Sequence, residues 1–474
     1  MYNNQFTVNF DGFLEKLNIS KAGYSNEKYK KLKSNFQNDN PKMNRINKDI
    51  IHYSLDLEEH LVNNIPMKPE RIYGAPGSKT SDVLLMKAAK MHINYPNLKI
   101  AIVFLTRSSY QRNIILLDKY LRQYSKGKIS YNYNEKSNIE LLHGWGSKSK
   151  MGFYKKMFNH NVNKETDDID YIYSSHPEVR GLEPVSALNK ACDLLLKSKN
   201  IEPYYDAIFI DQAEDFVVTE NNDIKNRFFD LVQKSTKSNK IIDNDKLVIW
   251  STQYKLNLKN NLIPNDSANN IHVKTSSTPH SIRKIANKIT NANFKVHTDF
   301  NHPIENDWKG NSVMFRKYKD RKQEINALAN NIEKNIDRDQ MNLTHDIMVI
   351  ILGDNKQIED IKVSINTLFN QKNINVYFPR YISDPDFFYK DKHVTASSLN
   401  RAKGYRRSLV YIVGLDYIAD NPSTSNYNQL LTAINSSDGW VHISGTGNHI
   451  LYDKLSNIIN EVEGNKTFSY KLSC

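Results

Sequence analysis

Tyr205-Asp206-Ala207-Ile208-Phe209-Ile210-Asp211-Gln212-Ala213-Glu214-Asp215-Phe216 is a short apolar run that closes on a cluster of carboxylates. A continuous apolar run of this length reads as a strand buried on both faces, the pattern of a parallel sheet. Acids gathered just past its C-terminal end can present a ligand to magnesium, a hard cation that takes oxygen. Asp211 is the residue best placed for that, with Gln212 and Glu214 as the polar groups beside it.

The surrounding chain repeats the same alternation. Short β-rich runs at 71–75, 99–106, 140–143, 206–211, 247–252 and 271–274 are separated by helical stretches. A second set follows at 346–352, 375–378, 393–396, 409–414 and 440–444. Strands alternating with helices imply parallel sheets covered by helices, so the fold class is α/β with two domains in tandem. The expected organisation is a helical lead-in over 1–65, a first domain over 66–295 with a helical insertion at about 146–200, and a second domain over 296–474. The stretch 295–309, poor in apolar residues, is the expected connection.

At 474 residues the chain exceeds what one hydrophobic core supports. Its hydrophobic fraction of 39% and charged fraction of 25% are those of a globular protein without a membrane span. The start, Met1-Tyr2-Asn3-Asn4-Gln5-Phe6, lacks the pattern of a secretory signal, which makes the cytoplasm the expected location. Cys192 and Cys474 form no metal-ligand spacing. Lys and Arg exceed Asp and Glu by 65 to 52, a net charge of +13 that favours polyanions, nucleic acid first among them. The clusters Lys28 to Lys33 and Arg316 to Lys322 read as solvated helix faces more than as nucleic-acid contacts.

Gly74-Ala75-Pro76-Gly77-Ser78-Lys79-Thr80 follows a strand and precedes a helical run, the context of a phosphate-binding loop. Such a loop cradles phosphate with backbone N–H groups, reaches it with a lysine and offers a hydroxyl to magnesium. The spacing is short by one residue. The motif requires a glycine, four residues, then Gly-Lys-Thr, and here Ser78 alone separates Gly77 from Lys79. An ordinary strand-to-helix turn is the competing reading of this segment.

Taken in order, these segments and several others resemble the motif series of UvrD-like superfamily 1 helicases over roughly residues 70 to 450. Lys99 through Arg107 resembles the strand and loop that contact single-stranded nucleic acid in that family, and His143-Gly144-Trp145-Gly146 its His-x-Trp-Gly segment. Asp211 to Asp215 stands where the family has Asp-Glu-x-Gln-Asp, with Gln212 in the glutamate's place. Gln253 is what survives of Gly-Asp-x-x-Gln, and the segment from Lys274 to Ile282 lacks the family's Asn-Tyr-Arg arginine. Arg401-Ala402-Lys403-Gly404 resembles the Ala-Lys-Gly-x-Glu motif, with Arg406 where the glutamate belongs. Thr432-Ala433-Ile434-Asn435-Ser436 resembles the final Thr-Ala-x-Thr-Arg, with Ser436 in place of the arginine finger.

The resemblance implies two RecA-like P-loop NTPase domains. It implies nucleotide contacts from Gly74, Gly77, Ser78, Lys79, Thr80, Asp211, Gln253, Lys403 and Gly404, and magnesium at Thr80 and Asp211 if ATP binds. It implies nucleic-acid contacts from Thr106, Arg107, Trp145, Arg401 and Lys403; a packed core tryptophan is the competing reading for Trp145, and a salt bridge for Arg401 and Lys403. Losing a general base costs about 10²–10⁴ in rate and an arginine finger about 10³–10⁵. The substitutions therefore imply a degraded ATPase that binds single-stranded nucleic acid or a protein partner as a non-motor subunit, for which a bacterial or phage genome-conflict complex is one setting. Two alternatives stay open. One is a divergent active helicase in which Glu214, sharing the face of Gln212 on an extended strand, fills the empty place. The other is a scaffold or regulator that binds only proteins.

Overall fold

The computed structural model of the chain describes residues 66, 68–74, 77–132, 137–146, 150–162, 179, 182–218, 226–238, 246–252, 269–273, 278–294, 312–337, 341–379 and 386–463. The expected lead-in over 1–65, the connection at 295–309, Gln253 and the Lys28 to Lys33 cluster lie outside the described residues.

Among the described residues, two parallel six-stranded sheets, each covered by helices, organise the chain, which is the expected α/β architecture. Of the described residues, the first compact unit takes those up to Gly74, Lys79–Leu105 and Arg112–Val273. The second takes Gly77 and Ser78, Thr106–Gln111, and the chain from Lys274 on.

The first sheet is built from β1 (Glu70–Gly74), β2 (Ile100–Phe104), β3 (Ile139–His143), β4 (Ala207–Ile210), β5 (Val248–Thr252) and β6 (Asn269–Val273), in the order β3-β2-β4-β5-β1-β6. Every residue of β2, β4 and β5 is buried. That is why β2 and β4 read as unbroken apolar runs, and β5 as an apolar run that closes on the buried Ser251 and Thr252: helices cover both faces, and alternation has no solvent side to serve. The order leaves β5 alone between the strand that ends in the glycine-rich loop and the strand that ends in the carboxylates. Helices α1 (Thr80–Asn94), α2 (Ser109–Tyr124), α3 (Phe153–Val162), α4 (Pro184–Ser198) and α5 (Arg227–Ser235) belong to this part of the chain. The region expected as a helical insertion contributes α3 and α4, whose Phe153, Met157, Leu188 and Leu195 enter the core beside β4.

The second sheet is built from β7 (Val313–Tyr318), β8 (Ile347–Ile351), β9 (Val376–Tyr377), β10 (Val394–Ser398), β11 (Arg407–Val413) and β12 (Ser437–Thr446), in the order β7-β12-β11-β8-β10-β9. Its boundary differs from expectation. The second unit begins at Lys274 rather than at 296, because the helix α6 (His280–Phe294) turns Ile282, Ile285, Ala286 and Ile289 into the core formed by Met348, Ile350, Val410 and Ile412. A second difference concerns Arg316 to Lys322, read in part as a helix face. Its first residues close β7, an edge strand on which Arg316 and Lys317 are exposed. Basic side chains on an edge discourage pairing with another sheet, and they also hide the strand from a hydrophobic pattern.

His442, on β12, packs edge-on against Tyr411 with ring centroids 4.9 Å apart. Burial, with Arg316 nearby, lowers its pKa from 6.5 to about 4. The folded chain thus resists a proton that the unfolded chain accepts, so stability present above about pH 6.5 is lost as pH falls toward 4. The loss is at most about 3 kcal/mol. Denaturant unfolding of the wild type and of His442→Gln across that window should show the wild type losing more; parallel profiles would dismiss the imidazole as the cause.

Candidate nucleotide site and motif segments

In the first unit the site grows from the C-terminal ends of β1 and β4. The loop after β1 has Gly77 at φ 85°, and Lys79 at φ 58° and ψ 33°, a left-handed position that glycine ordinarily takes. The helix α1 starts immediately after it, at Thr80. Ser78, Thr80 and Ser81 are buried.

The strand β4 ends at Ile210, one residue before the carboxylates. Gln212 then adopts φ 53° and ψ 56° and leads into a single 3₁₀ turn, Ala213–Phe216. This geometry corrects the extended-strand argument for Glu214: with a left-handed residue and a turn between them, the i, i+2 rule that would align it with Gln212 no longer applies. Glu214 lies instead where its charge acts on Arg71.

Asp211 is held from three sides. Ser251, buried in the intervening strand β5, donates its hydroxyl to Asp211 Oδ1 at 2.9 Å and accepts the Gln212 N–H at 3.0 Å. The Ser81 hydroxyl also hydrogen-bonds the carboxylate. From α2 the Arg112 guanidinium lies 3.9 Å from Asp211 Oδ2 and 3.3 Å from Asp82 Oδ2, and Tyr120 donates its hydroxyl to Asp82 Oδ1 at 3.0 Å. Burial pushes the Asp211 carboxyl up from its ordinary range, while Arg112 and the two serines pull it back down. Arg112, Ser81 and Ser251 were not singled out in the sequence. Arg112 carries no motif, and nothing short of the fold brings a residue of α2 to the end of β4.

Trp145 lies inside the first unit. Its ring meets Tyr154 edge-on at 5.3 Å, its indole N–H donates to Pro184 O at 3.2 Å, and 7% of its surface is exposed. The indole is a core side chain here and offers no face for a base to stack on. Beside it, His143 Nδ1 accepts the backbone N–H of Trp145 at 3.2 Å and that of Gly146 at 3.4 Å.

In the second unit, Thr106 and Arg107 belong to the segment Thr106–Gln111. Arg107 donates from Nε and Nη2 to Asp386 Oδ1 at 3.0 and 2.8 Å. Arg401, in the short helix Leu399–Ala402, is 2% exposed and donates from Nη2 to Phe387 O at 3.2 Å, so its guanidinium also faces inward. Lys403 follows that helix and Gly404 turns at φ 83° into β11; both are half-buried.

Arg406 is the hub of the motif ends. It donates from Nε to Asp438 Oδ1 at 2.8 Å, from Nη1 to Asn435 O at 2.6 Å, and from Nη2 to Thr278 Oγ1 at 2.7 Å and Ser437 O at 2.9 Å. Ser436 is buried, its hydroxyl donating back to Thr432 O at 2.8 Å within the turn that ends the helix Thr424–Ile434.

No protein-family model matches the sequence, and no curated protein matches it significantly. Among solved structures, the chain is similar to S. cerevisiae Dbp5 bound to RNA and ADP BeF3, at 10% identity and a TM-score of 0.46, with 89% of this chain and 91% of that one covered. It is similar also to a point variant of S. cerevisiae Dbp5 bound to a point variant of Gle1 and to IP6, at 10% identity and a TM-score of 0.44, covering 89% and 90%. The C-terminal domain of a possible DNA helicase from Lactobacillus plantarum aligns at 10% identity and a TM-score of 0.28, over 38% of this chain and 94% of that domain. These likenesses are of fold. No described helix is long and apolar enough to cross a membrane.

Proposed function

We propose that the chain is a UvrD-like superfamily 1 helicase relative that no longer turns over nucleotide, serving as a non-motor subunit that binds nucleic acid or a protein partner. A bacterial or phage genome-conflict complex is a setting that suits such a subunit. The observation that carries this reading is the fate of the two final motifs. Arg406, standing where the family has a glutamate, gives its donors to Asp438, Thr278 and two backbone carbonyls, while Ser436 in the finger's place bonds its own turn. Phosphoryl transfer needs positive charge delivered to the γ-phosphate, and neither residue supplies it. Gln212, which cannot act as a base, removes a second requirement. The surplus of +13 favours a polyanionic partner, with Thr106, Arg107 and Lys403 as contact candidates once Trp145 and Arg401 are recognised as buried.

The test is ATP hydrolysis by the purified full chain, with and without single-stranded nucleic acid. Turnover should be at least about 10³-fold below that of an active motor and unchanged by Lys79→Ala. Nucleic-acid-stimulated turnover that Lys79→Ala abolishes would restore the active-helicase reading. Single strands should bind with an affinity that falls as salt rises; no binding at low salt would favour a protein-only partner.

A further inference from the structure

The resemblance implies a magnesium nucleotide at the loop after β1, yet the residues around Asp211 do not fit one. Counted from Gly74, the phosphate-loop motif puts its second glycine at the position of Lys79, its lysine at Thr80 and its metal-binding hydroxyl at Ser81. The backbone follows that count. Lys79 is left-handed, as the missing glycine would be, α1 begins at Thr80, and Ser81 is the residue of this loop whose hydroxyl meets Asp211. The shortened loop has thus kept the register of the helix and moved its lysine one position early.

The carboxylate that the metal would take is already engaged. Ser251 bonds Oδ1, and Arg112 brings a guanidinium toward Oδ2 while also facing Asp82. Arg112 and Asp82 are largely buried and Asp211 almost wholly so, and ionised groups taken out of water need compensating charge. Metal and lysine are the two cations such a site ordinarily relies on.

We propose that Arg112 is the fixed counter-ion of Asp211, standing in for the mobile metal, so that the carboxylate cluster is a metal-independent structural element of the first unit. This rests on the reading above that the site does not turn over nucleotide, and it adds what has taken the metal's place. Three groups from three elements, Asp82 on α1, Arg112 on α2 and Asp211 after β4, form an acid-cation-acid arrangement. Its stability is written into the chain and asks nothing of magnesium.

A double-mutant cycle on the full chain tests it by thermal unfolding. Arg112→Gln should lower the midpoint by roughly 5 °C, because it leaves two buried carboxylates facing each other. Arg112→Lys, which keeps the charge, should recover most of that loss. Adding Asp211→Asn to Arg112→Gln should restore much of the midpoint, since the anion needing the arginine is gone. Millimolar magnesium chloride should shift the wild type no more than it shifts Asp211→Asn. Losses that simply add, coupling found with Asp82→Asn but not with Asp211→Asn, or a magnesium-dependent rise present in the wild type and absent from Asp211→Asn would each overturn the proposal. The two readings fail separately. Stimulated ATP hydrolysis defeats the non-motor function whatever the cycle gives, and an additive cycle defeats the role of Arg112 while hydrolysis stays absent.

Discussion

Gly152→Ala is expected to lower the stability of the chain by about 3–5 kcal/mol, as read by denaturant unfolding. The segment His143-Gly144-Trp145-Gly146 returns on itself, with a parallel bridge between His143 and Gly152. Tyr154 N–H donates to Gly144 O at 2.9 Å and Lys155 N–H to Trp145 O at 3.2 Å. A Cβ on Gly152 would fall against the backbone of Gly146 and Trp145, and one on Gly146 would lie 2.7 Å from the Gly152 nitrogen. Neither obstacle is a side chain that can swing away, so the two strands of backbone must separate. That would undo the setting of Trp145 and Tyr154 in the core. Gly127→Ala is the control. Gly127 has φ 82° with nothing within 4 Å of the added carbon, so it should cost about 1–2 kcal/mol of backbone strain and no more. Equal losses at the two positions would show that conformational strain, and not the close approach of backbones, sets the effect.

Arg406→Ala should cost about 2–4 kcal/mol, and Arg406→Glu, which reverses the charge, should cost more. Alanine removes the guanidinium bonds to the carbonyls of Asn435 and Ser437, the Thr278 hydroxyl and the Asp438 carboxylate. Glutamate adds a like charge beside Asp438. The charge of Arg406 is therefore compensated locally, by the acid Asp438. Arg406→Glu combined with Asp438→Arg should recover part of the loss through an exchanged pair. If Arg406→Glu were as stable as the wild type, or if it switched on ATP hydrolysis, the arginine would not be a structural staple.

The strands were the most legible part of the sequence. Buried on both faces, β2, β4 and β8 carry uninterrupted apolar runs that few other elements of that length produce. The edge strand β7 was hidden because its exposed Arg316 and Lys317 break that signal. The start of the second unit was misplaced for a related reason: an amphipathic helix such as α6 announces its apolar face but not the sheet that will bury it.

The candidate site was legible only as far as chain order reaches. Asp211, Lys79, Thr80 and Gln212 stand out because each lies in a short motif at the end of a strand. The sequence also shows that Gly74 to Thr80 is one residue short of the phosphate-loop spacing, and it marks Gln212, Arg406 and Ser436 as polar residues beside the ends of strands. What it could not give was what those side chains bond, because that depends on groups from distant elements meeting in space. The left-handed backbone of Lys79, immediately before α1, is a feature of the folded loop. The inward burial of Trp145 and Arg401 follows from the cores around them. The meeting of Arg112 with Asp211 requires α2 to lie against the end of β4, and the four bonds of Arg406 require Thr278, Asn435, Ser437 and Asp438 to converge at the starts of β11 and β12. Local pattern determined the sheets, since their apolar runs are written in consecutive residues. The partners of Asp211 and Arg406 were decided by tertiary structure, since a buried charge is neutralised by whatever the fold brings within reach.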